Sequence, residues 1–328
     1  MGPTTRFPNA LRFGTLFPVM SLESQIRDLA RSVGYAVCRF TTAAPFEDYR
    51  QALEDRMRQF PEAAALYAAM LGRVDPRGNA PWVRSVIVAV RDYGKYALPA
   101  GLVGHIGRNY LADRRIATCP DNVMPKRMKE GLIALGCRVK AGGVPCRAAA
   151  VRAGAVRIGR NGFAYTREHG SWINIEAWRV DAALTPDEPD AEPLCPPDCR
   201  LCLDACPTQA ITAPYVSRMD RCVAYLTYGA PEPVAPELAA RMGGWIYGCD
   251  ACQNACPLNA GRWRTEQPAP WLEAAAARLT PEALASMDES TYRNVVRPLF
   301  WYLPESAEGL ARWHTNARRA LLRLHGGD

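Results

Sequence analysis

The segment at residues 195–259 constrains this chain most, because it contains eight of the twelve cysteines. It begins with CPPDCRLCLDACPTQAI, passes a single cysteine at Cys222, and ends with GCDACQNACPLN. Cysteine thiolates at these short spacings, with a proline after the last cysteine of each run, are typical of [4Fe–4S] proteins. The segment therefore predicts a domain folded around two iron–sulfur clusters.

Two sets of ligands follow from the way such runs work. In two-cluster ferredoxins the fourth cysteine of a run ligates the cluster of the other run. Pro207 and Pro257 fix φ directly after these fourth cysteines, so the chain leaves the cluster there, and 208–211 begins a short helix or a turn. The predicted ligands are Cys195, Cys199, Cys202 and Cys256 for one cluster, and Cys206, Cys222, Cys249 and Cys252 for the other.

Two alternatives compete with iron–sulfur clusters at these cysteines. Disulfides need an oxidising compartment, and the sequence carries no export signal. Zinc also binds C-x-x-C pairs, but it prefers closed sets of four ligands, which two runs ending in Cys-Pro fit poorly. The other cysteines are expected to be small buried apolar side chains: Cys38, Cys119, Cys137 and Cys146.

Length and charge set wider limits. A chain of 328 residues with 48% hydrophobic residues holds one large domain or two ordinary ones. The net charge of +7 comes mostly from arginine and permits an anionic partner such as tRNA or a phosphate-bearing cofactor, although genome base composition explains it equally well. No run is apolar enough to span a membrane and no signal peptide is recognisable, so we expect a cytoplasmic protein.

The pattern of apolar residues predicts the elements around this segment. Residues 1–20 read as an irregular leader, with Met20 as a possible start, and Ser21 as the N-cap of a helix that ends at Gly34. The run VRSVIVAVRDYG predicts a fully buried strand, and the acidic, proline-rich stretch 185–193 predicts a linker. Other predictions are a strand at YAVCRF, helices at 47–60, 63–70 and 125–135, a strand, turn and helix at 137–154, a hairpin turning near 168–170, and helical stretches at 271–287 and 292–324.

Four segments carry a likeness to a known family: RVDPRGNAPWVRSVIVAVRDYG, RIGRNGFAYTREHGSW, CPTQAI and GCDACQNACPLN. In them the chain resembles the epoxyqueuosine reductases, cobalamin-dependent iron–sulfur enzymes that finish queuosine synthesis on tRNA and are related to reductive dehalogenases. The resemblance implies an α+β fold. It consists of a nitroreductase-like α/β cobalamin-binding domain at 21–188, a bacterial-type double [4Fe–4S] ferredoxin module at 189–262, and a helical C-terminus at 263–328.

The resemblance also implies partners and a direction of electron flow. A flavodoxin, a ferredoxin or a reductase would supply electrons, which pass through the two clusters to cobalamin and then to a substrate. The family's chain often continues into helical repeats, and this sequence ends at Asp328, so we expect that extension to be absent. If tRNA binds, the arginines of 108–115 and 312–323 are expected to form one basic face.

One departure from the family concerns the acid. Aligned with the family's Val-Asp-Ser/Thr-x-Pro-Val-x-Glu-Arg stretch, VKAGGVPCR puts Lys140 at the aspartate, the family's proposed proton donor, and Arg147 at the arginine. Cys146 stands at the glutamate, and no acidic residue occurs between Glu130 and Glu168 to act as the acid instead. Lys140 and Arg147 are the catalytic candidates, because a desolvated lysine has a lowered pKa; otherwise Lys140 is a surface charge.

Several other polar and glycine residues are candidates for contact with the corrin. The glycines around residues 159–162 offer backbone N–H groups for a close approach, or simply make a turn. The arginines there either pair with cofactor groups or are solvated, and a lone histidine is often structural. The cofactor-binding candidates are His105, Arg108, Tyr110, Arg157, Gly159, Arg160, Asn161 and Ser171; Tyr165 is a further residue that the same pocket would include.

The sequence therefore favours a cobalamin-dependent iron–sulfur reductase with an altered acid site, acting on tRNA or another substrate. One alternative is a ferredoxin-like electron carrier that has lost the chemistry of its upstream domain. Another is a protein that binds a corrinoid and reduces only its cobalt. The retained IGRN and GSW segments favour a working upstream domain, because a plain ferredoxin needs neither.

Overall fold

The computed structural model describes residues 20–190 and 192–325, so the predicted leader at 1–20 lies outside it except for Met20. The strands are β1 Val37–Thr42, β2 Ser85–Asp92, β3 Tyr96–Ala97, β4 Val139–Ala141, β5 Arg157–Ile158, β6 Ala164–Tyr165, β7 Ile173–Val180, β8 Ile211–Ala213, β9 Val216–Ser217 and β10 Gln267–Pro268. The α-helices are α1 Leu22–Val33, α2 Glu47–Gln59, α3 Ala64–Leu71, α4 Arg108–Leu111, α5 Met124–Ala134, α6 Cys146–Arg152, α7 Leu201–Asp204, α8 Val223–Tyr228, α9 Pro236–Ala239, α10 Ala251–Asn254, α11 Pro270–Glu273, α12 Pro281–Ser286, α13 Glu289–Thr291 and α14 Ala307–His325.

Helix α1 begins and ends where the sequence predicts. The Ser21 hydroxyl accepts a hydrogen bond from the Ser24 N–H at 3.2 Å, which satisfies one free donor of the first turn. Gly34 has a left-handed φ of 107°, and its N–H donates to the carbonyl of Ala30 at 3.2 Å. The predicted helices at 47–60, 63–70 and 125–135 are also present as α2, α3 and α5, each within a residue or so of the predicted bounds.

A four-stranded antiparallel sheet in the order β1-β2-β7-β4 forms the centre of the upstream domain. Strand β2 is buried at every position, as its apolar run predicts, because both faces of the sheet are covered. Helices α1 and α5 cover one face, where Ile87 and Trp178 belong to their core. Helix α6 covers the other, where Ala149 and Ala150 pack against Val88. The upstream domain is thus a three-layer α/β structure, with helices on both faces of the sheet.

Two connections in this domain have features beyond the predictions. The turn predicted near 168–170 is present, and a tight hairpin that was not predicted, β5–β6, precedes it and turns at residues 159–162. Gly162 there has a φ of 76°, and its N–H donates to the Gly159 carbonyl at 2.8 Å. A bridge between Thr166 and Gly170 makes a second, separate turn. The acidic stretch 185–193 is anchored rather than free, because Asp187 accepts from the Phe40 N–H at 2.8 Å and pairs with Arg27 at 2.8 Å.

The cysteine-rich segment forms small elements rather than long helices. Each cysteine run contains one short helix, α7 or α10, and these two helices contact each other. The stretch after Pro207 is a turn that leads into β8, so the chain takes the turn and not the helix of the two predicted possibilities. Hairpin β8–β9 and helix α8 complete the segment.

The C-terminal region is more broken than its sequence pattern predicts. Instead of continuous helices at 271–287 and 292–324, it has α11, a 3₁₀ turn, α12, α13 and a π-helical turn at Tyr292–Val296 before α14. Pro281, Pro298 and Pro304 explain the interruptions, because proline lacks the N–H donor and clashes with the preceding turn. Pro281 starts α12 behind its Thr280 cap, as predicted. Among the described residues no helix has the length and apolar character needed to cross a membrane.

Candidate iron–sulfur site

The cysteine thiols lie in two neighbourhoods. Burial raises the pKa of Cys202, and the adjacent thiols of the first predicted set, Cys195, Cys199 and Cys256, raise it further. Burial likewise raises the pKa of Cys249, with Cys222 and Cys206 as neighbouring contributors. This grouping supports the predicted division into two sets of four, and the ligand assignment itself stays a prediction.

The backbone around the thiols supplies hydrogen-bond donors. The N–H of Ala210 donates to the Cys206 sulfur at 3.2 Å, and the N–H of Ala251 donates to the Cys249 sulfur at 3.4 Å. Such bonds stabilise thiolates and tune the potential of a cluster that they ligate. All twelve cysteines belong to the described part, and each is a free thiol rather than half of a disulfide. In the same part, no three Cys, His, Asp or Glu side chains converge to hold a single metal ion.

The two sets of thiols adjoin each other. Cys202 is buried in a small core with Leu203 and Ile211, against which Cys206 and Cys252 pack. Cys252 belongs to the second predicted set, yet Cys202 from the first set is among the groups that raise its pKa. Two clusters held here would therefore be direct neighbours, as stepwise electron transfer between them requires.

A buried amide network joins this segment to the upstream domain at Ser171. The Ser171 N–H donates to Asn259 Oδ1 at 2.8 Å, and Asn259 Nδ2 donates to the Ser171 hydroxyl at 2.9 Å. Gln253 Nε2 donates to the same hydroxyl at 2.9 Å. Gly170 has a φ of 56°, and a Cβ there would overlap Asn259 Oδ1. The GSW motif thus serves the contact between the two parts of the chain.

The IGRN motif also contacts the cysteine-rich segment. Asn161 Nδ2 donates to the Tyr165 hydroxyl at 2.8 Å and to the Cys252 carbonyl at 3.3 Å. Burial raises the pKa of the Tyr165 hydroxyl, and the nearby Cys256 thiol raises it further. Gly159 is required for this packing, because a Cβ there would stand 2.6 Å from the Tyr165 ring. The missing side chain at Gly159 therefore makes room for the Tyr165 ring, and contact of this turn with a cofactor stays a prediction.

Arg108 makes the third contact between the upstream domain and the cysteine-rich segment. Its backbone N–H and its guanidinium donate to Asp250 Oδ2 at 2.9 and 3.2 Å, and the guanidinium donates to Asn254 Oδ1 at 2.6 Å. The guanidinium also lies 5.0 Å from the ring centre of Trp172 and 5.2 Å from that of Trp263. Burial raises the pKa of Asp250 to about 6, and the bonds from Arg108 oppose that rise.

The other cofactor candidates each bond to a different partner in the protein. His105 Nδ1 bonds the Gly244 carbonyl at 3.0 Å, and the Tyr110 hydroxyl bonds that of Tyr228 at 3.1 Å within an aromatic core. Arg157 pairs with Asp190 at 3.4 Å. Arg160 donates to the carbonyls of the two prolines inside the first cysteine run. All four thus have protein partners, three of them in or beside the cysteine-rich segment.

The catalytic candidates lie on β4 and α6. Lys140 is exposed on the edge strand β4, and its ammonium donates to the Asn79 carbonyl at 3.2 Å. Arg147 donates to the Gly162 carbonyl at 2.6 Å, which ties α6 to the β5–β6 turn. Gly142 and Gly143 follow Lys140 with φ values of 64° and 74°, and a Cβ on Gly143 would overlap the guanidinium of buried Arg179. The structure thus holds the stretch aligned with the family's acid in a tight glycine turn.

A cavity of about 290 Å³ adjoins the first set of thiols, with Cys256, Arg108, Trp172 and Trp263 in its wall. The indole N–H of buried Trp172 has no acceptor among the described residues, and its nitrogen is not exposed to the cavity. Drug-sized ligands fill roughly 300–1,000 Å³. A corrinoid is larger, so this cavity has room for no more than an edge of one.

Most of the arginines predicted to form a basic face are paired with carboxylates or donate to backbone carbonyls. Arg108 pairs with Asp250, Arg114 with Glu176, and Arg115 with Asp113. Along α14 the arginines fasten that helix to the cysteine-rich segment, with Arg319 donating to the carbonyls of Gly243 and Trp245. Sequence reasoning missed this role, and it also missed Asp250, Gln253, Asn259 and the two tryptophans; their only signal is their place inside the motifs GCDACQNACPLN and GSW, or directly after the former.

Comparison with known proteins defines the class first. Residues 195–259 match the family described as a 4Fe-4S double cluster binding domain. With two adjoining sets of thiols in that segment, the chain is a double-cluster iron–sulfur protein with an α/β domain upstream.

The particular family follows from relatives along the chain. The epoxyqueuosine reductase of Xanthomonas campestris pv. campestris is 32% identical over 263 residues, which are 75% of this chain and 72% of that protein. That of Staphylococcus aureus is 27% identical over 259 residues, 76% and 67% of the two chains. That of Atelocyanobacterium thalassa is 40% identical over 124 residues, 38% and 40% of the two. The chain belongs to the epoxyqueuosine reductase family, which confirms the resemblance seen in its motifs.

Solved structures show the same fold. An epoxyqueuosine reductase crystallised with an epoxyqueuosine-modified tRNA-Tyr stem loop superposes with a TM-score of 0.74 at 23% identity, over 93% of this chain and 82% of that one. The Streptococcus thermophilus epoxyqueuosine reductase gives 0.70 at 23% identity over the same shares. Identity at this level shows the fold.

Proposed function

We propose that this chain is an iron–sulfur oxidoreductase that holds two [4Fe–4S] clusters and passes electrons to a bound cobalamin. The reaction is reductive, on a tRNA-linked queuosine precursor or a related substrate. The observation that carries the proposal is the pairing of two adjoining sets of thiols with a polar cavity whose wall contains Cys256. The domain division at 21–188, 189–262 and 263–328 is part of the same proposal.

The chain's own residues have distinct tasks in this scheme. Ser171, Asn161 and Arg108 fix the cysteine-rich segment against the upstream domain. The cavity lined by Arg108, Trp172 and Trp263 is the place where the cofactor edge would bind. When bound, cobalamin supplies a cobalt centre that accepts electrons and delivers them to the substrate.

The acid of the reaction is the part of the family's chemistry that this chain alters. We propose Lys140 as the replacement and Arg147 as its neighbour on α6, because they occupy the aligned positions. Lys140→Ala tests this under single-turnover conditions, with Lys126→Ala on the exposed face of α5 as the matched control. A slower chemical step in the first variant alone supports the role; equal rates in both assign the proton to another group.

An electron carrier without substrate chemistry is the second candidate, and the exposed position of Lys140 on an edge strand favours it. Anaerobic purification with added cobalamin separates the two, followed by iron, sulfide and cobalt analysis and EPR of the reduced protein. Two clusters with one corrinoid per chain support the reductase, and assay with epoxyqueuosine-tRNA follows. Two clusters without corrinoid leave the carrier.

A further inference from the structure

A second cavity lies within the cysteine-rich segment itself. It has a volume of about 500 Å³, and Cys206, of the second predicted cluster set, is part of its wall. The first cavity has Cys256, of the other set, in its wall. The two sets adjoin at Cys202 and Cys252, so each cavity borders one of two neighbouring cluster sites.

The second cavity is positively charged. Three guanidinium groups and one carboxylate line it, those of Arg200, Arg221, Arg241 and Asp204, a net charge of +2. Only Arg200 pairs with the carboxylate, at 3.5 Å, and both side chains are largely exposed. The cavity is therefore an open, basic surface directly above a cluster ligand.

Arg221 and Arg241 carry the uncompensated charge. The side chain of Arg221 makes no ion pair or hydrogen bond within the described part of the chain, and its Nε is buried without an acceptor. Arg241 Nε donates to the Pro207 carbonyl at 3.0 Å, which leaves its two terminal nitrogens free of any carboxylate in that same part. The first cavity differs, because its Arg108 is already paired with Asp250.

We propose that an acidic electron-carrier protein of the flavodoxin type docks at this second cavity and reduces the cluster behind Cys206. The concave shape accepts a protruding flavin edge, and the arginines complement carboxylates around it. One electron leaves the flavin and one enters the cluster, so no bond forms or breaks. The proposal rests on the proposed function for the presence of clusters, and it deepens that function by naming the side on which electrons enter.

The test is the rate at which photoreduced flavodoxin bleaches the clusters in stopped flow. The double variant Arg221→Glu/Arg241→Glu is compared with Arg127→Glu/Lys129→Glu, which makes the same change in net charge on the exposed face of α5. The single variant Arg241→Glu is included because a change at Arg221, the neighbour of Cys222, also affects a predicted cluster ligand. Iron content and EPR after dithionite reduction establish the clusters in every variant.

At about 0.01 M salt, where the Debye length is roughly 30 Å, we expect the second-order rate of the cavity variant to fall at least tenfold, and that of Arg241→Glu by a smaller factor. The control variant keeps most of the wild-type rate. At about 1 M salt the rates of the wild type and all three variants converge, because the Debye length is then roughly 3 Å.

Equal rates in the cavity and control variants, with clusters intact, overturn the docking surface alone. A wild-type protein without cluster absorbance overturns the proposed function and this inference together. Loss of binding to a labelled RNA stem loop with an unchanged rate of reduction assigns the surface to nucleic acid and also overturns the proposal.

Discussion

Arg108 offers the sharpest test of how the cysteine-rich segment is held. The variant Arg108→Met keeps the aliphatic stem between Trp172 and Trp263 but removes the guanidinium. The side chain of Asp250 is 3% exposed and would then be a buried carboxylate without a counter-charge. Removing one partner of a buried ion pair costs about 3–5 kcal/mol.

Two features of the structure place the cost of this change at the lower end of the range of about 3–5 kcal/mol. The side chain of Arg108 is 17% exposed, so water reaches part of it. The backbone N–H of Arg108 still donates to Asp250 at 2.9 Å in the variant. We therefore expect the segment around α10 to lose about 3 kcal/mol, which corresponds to a roughly 100-fold faster local opening.

Anaerobic hydrogen–deuterium exchange of the peptide containing α10 measures that opening directly. The control is Arg108→Met combined with Asp250→Asn, which removes the charge but keeps an acceptor for the remaining N–H. We expect the double variant to recover most of the protection, about 2 kcal/mol of coupling between the two sites. Strictly additive losses would refute the ion pair as the cause, and unchanged exchange in the single variant would refute its role in holding the segment.

Three further changes test other parts of the structure. Gly143→Ala combines a left-handed φ with overlap on Arg179, so unfolding should show a loss of about 3 kcal/mol, against about 1–2 kcal/mol for Gly142→Ala, which has open space; equal losses contradict the overlap. Cys222→Ser removes one predicted ligand of the second cluster, so iron analysis should give close to half the wild-type content, and full content contradicts that ligand set. Tyr165→Phe removes the hydroxyl near the Cys256 thiol, so loss of a donor to that thiolate should give a more negative midpoint potential in a redox titration, and an unshifted value excludes such a bond.

Much of the fold is readable from local sequence. The run VRSVIVAVRDYG identifies β2, and Ser21 with Gly34 identifies both ends of α1, because caps and apolar runs act within a few residues. The C-terminal helices were less predictable. Their apolar spacing is helical throughout, yet prolines and the packing of α12 on α14 divide the stretch into short pieces.

The roles of the motif residues were the part that sequence could not assign. Asn161, Ser171 and Arg108 stand out as polar residues in distinctive motifs, and a cofactor is the obvious partner for them. The structure pairs them with Cys252, Asn259 and Asp250, which are 91, 88 and 142 residues away in the chain. Contacts over such separations leave no periodic signal in the sequence.

The sequence by itself determined the cysteine-rich segment and the family to which the chain belongs, because ligand spacing and short motifs are local properties. Only the tertiary structure decided that these motifs join two parts of the chain, and that one cavity beside the thiols has a paired arginine while another has arginines without carboxylate partners. Whether an arginine is paired depends on which carboxylate folding brings beside it. That is a property of the packed chain, and no single stretch of sequence contains it.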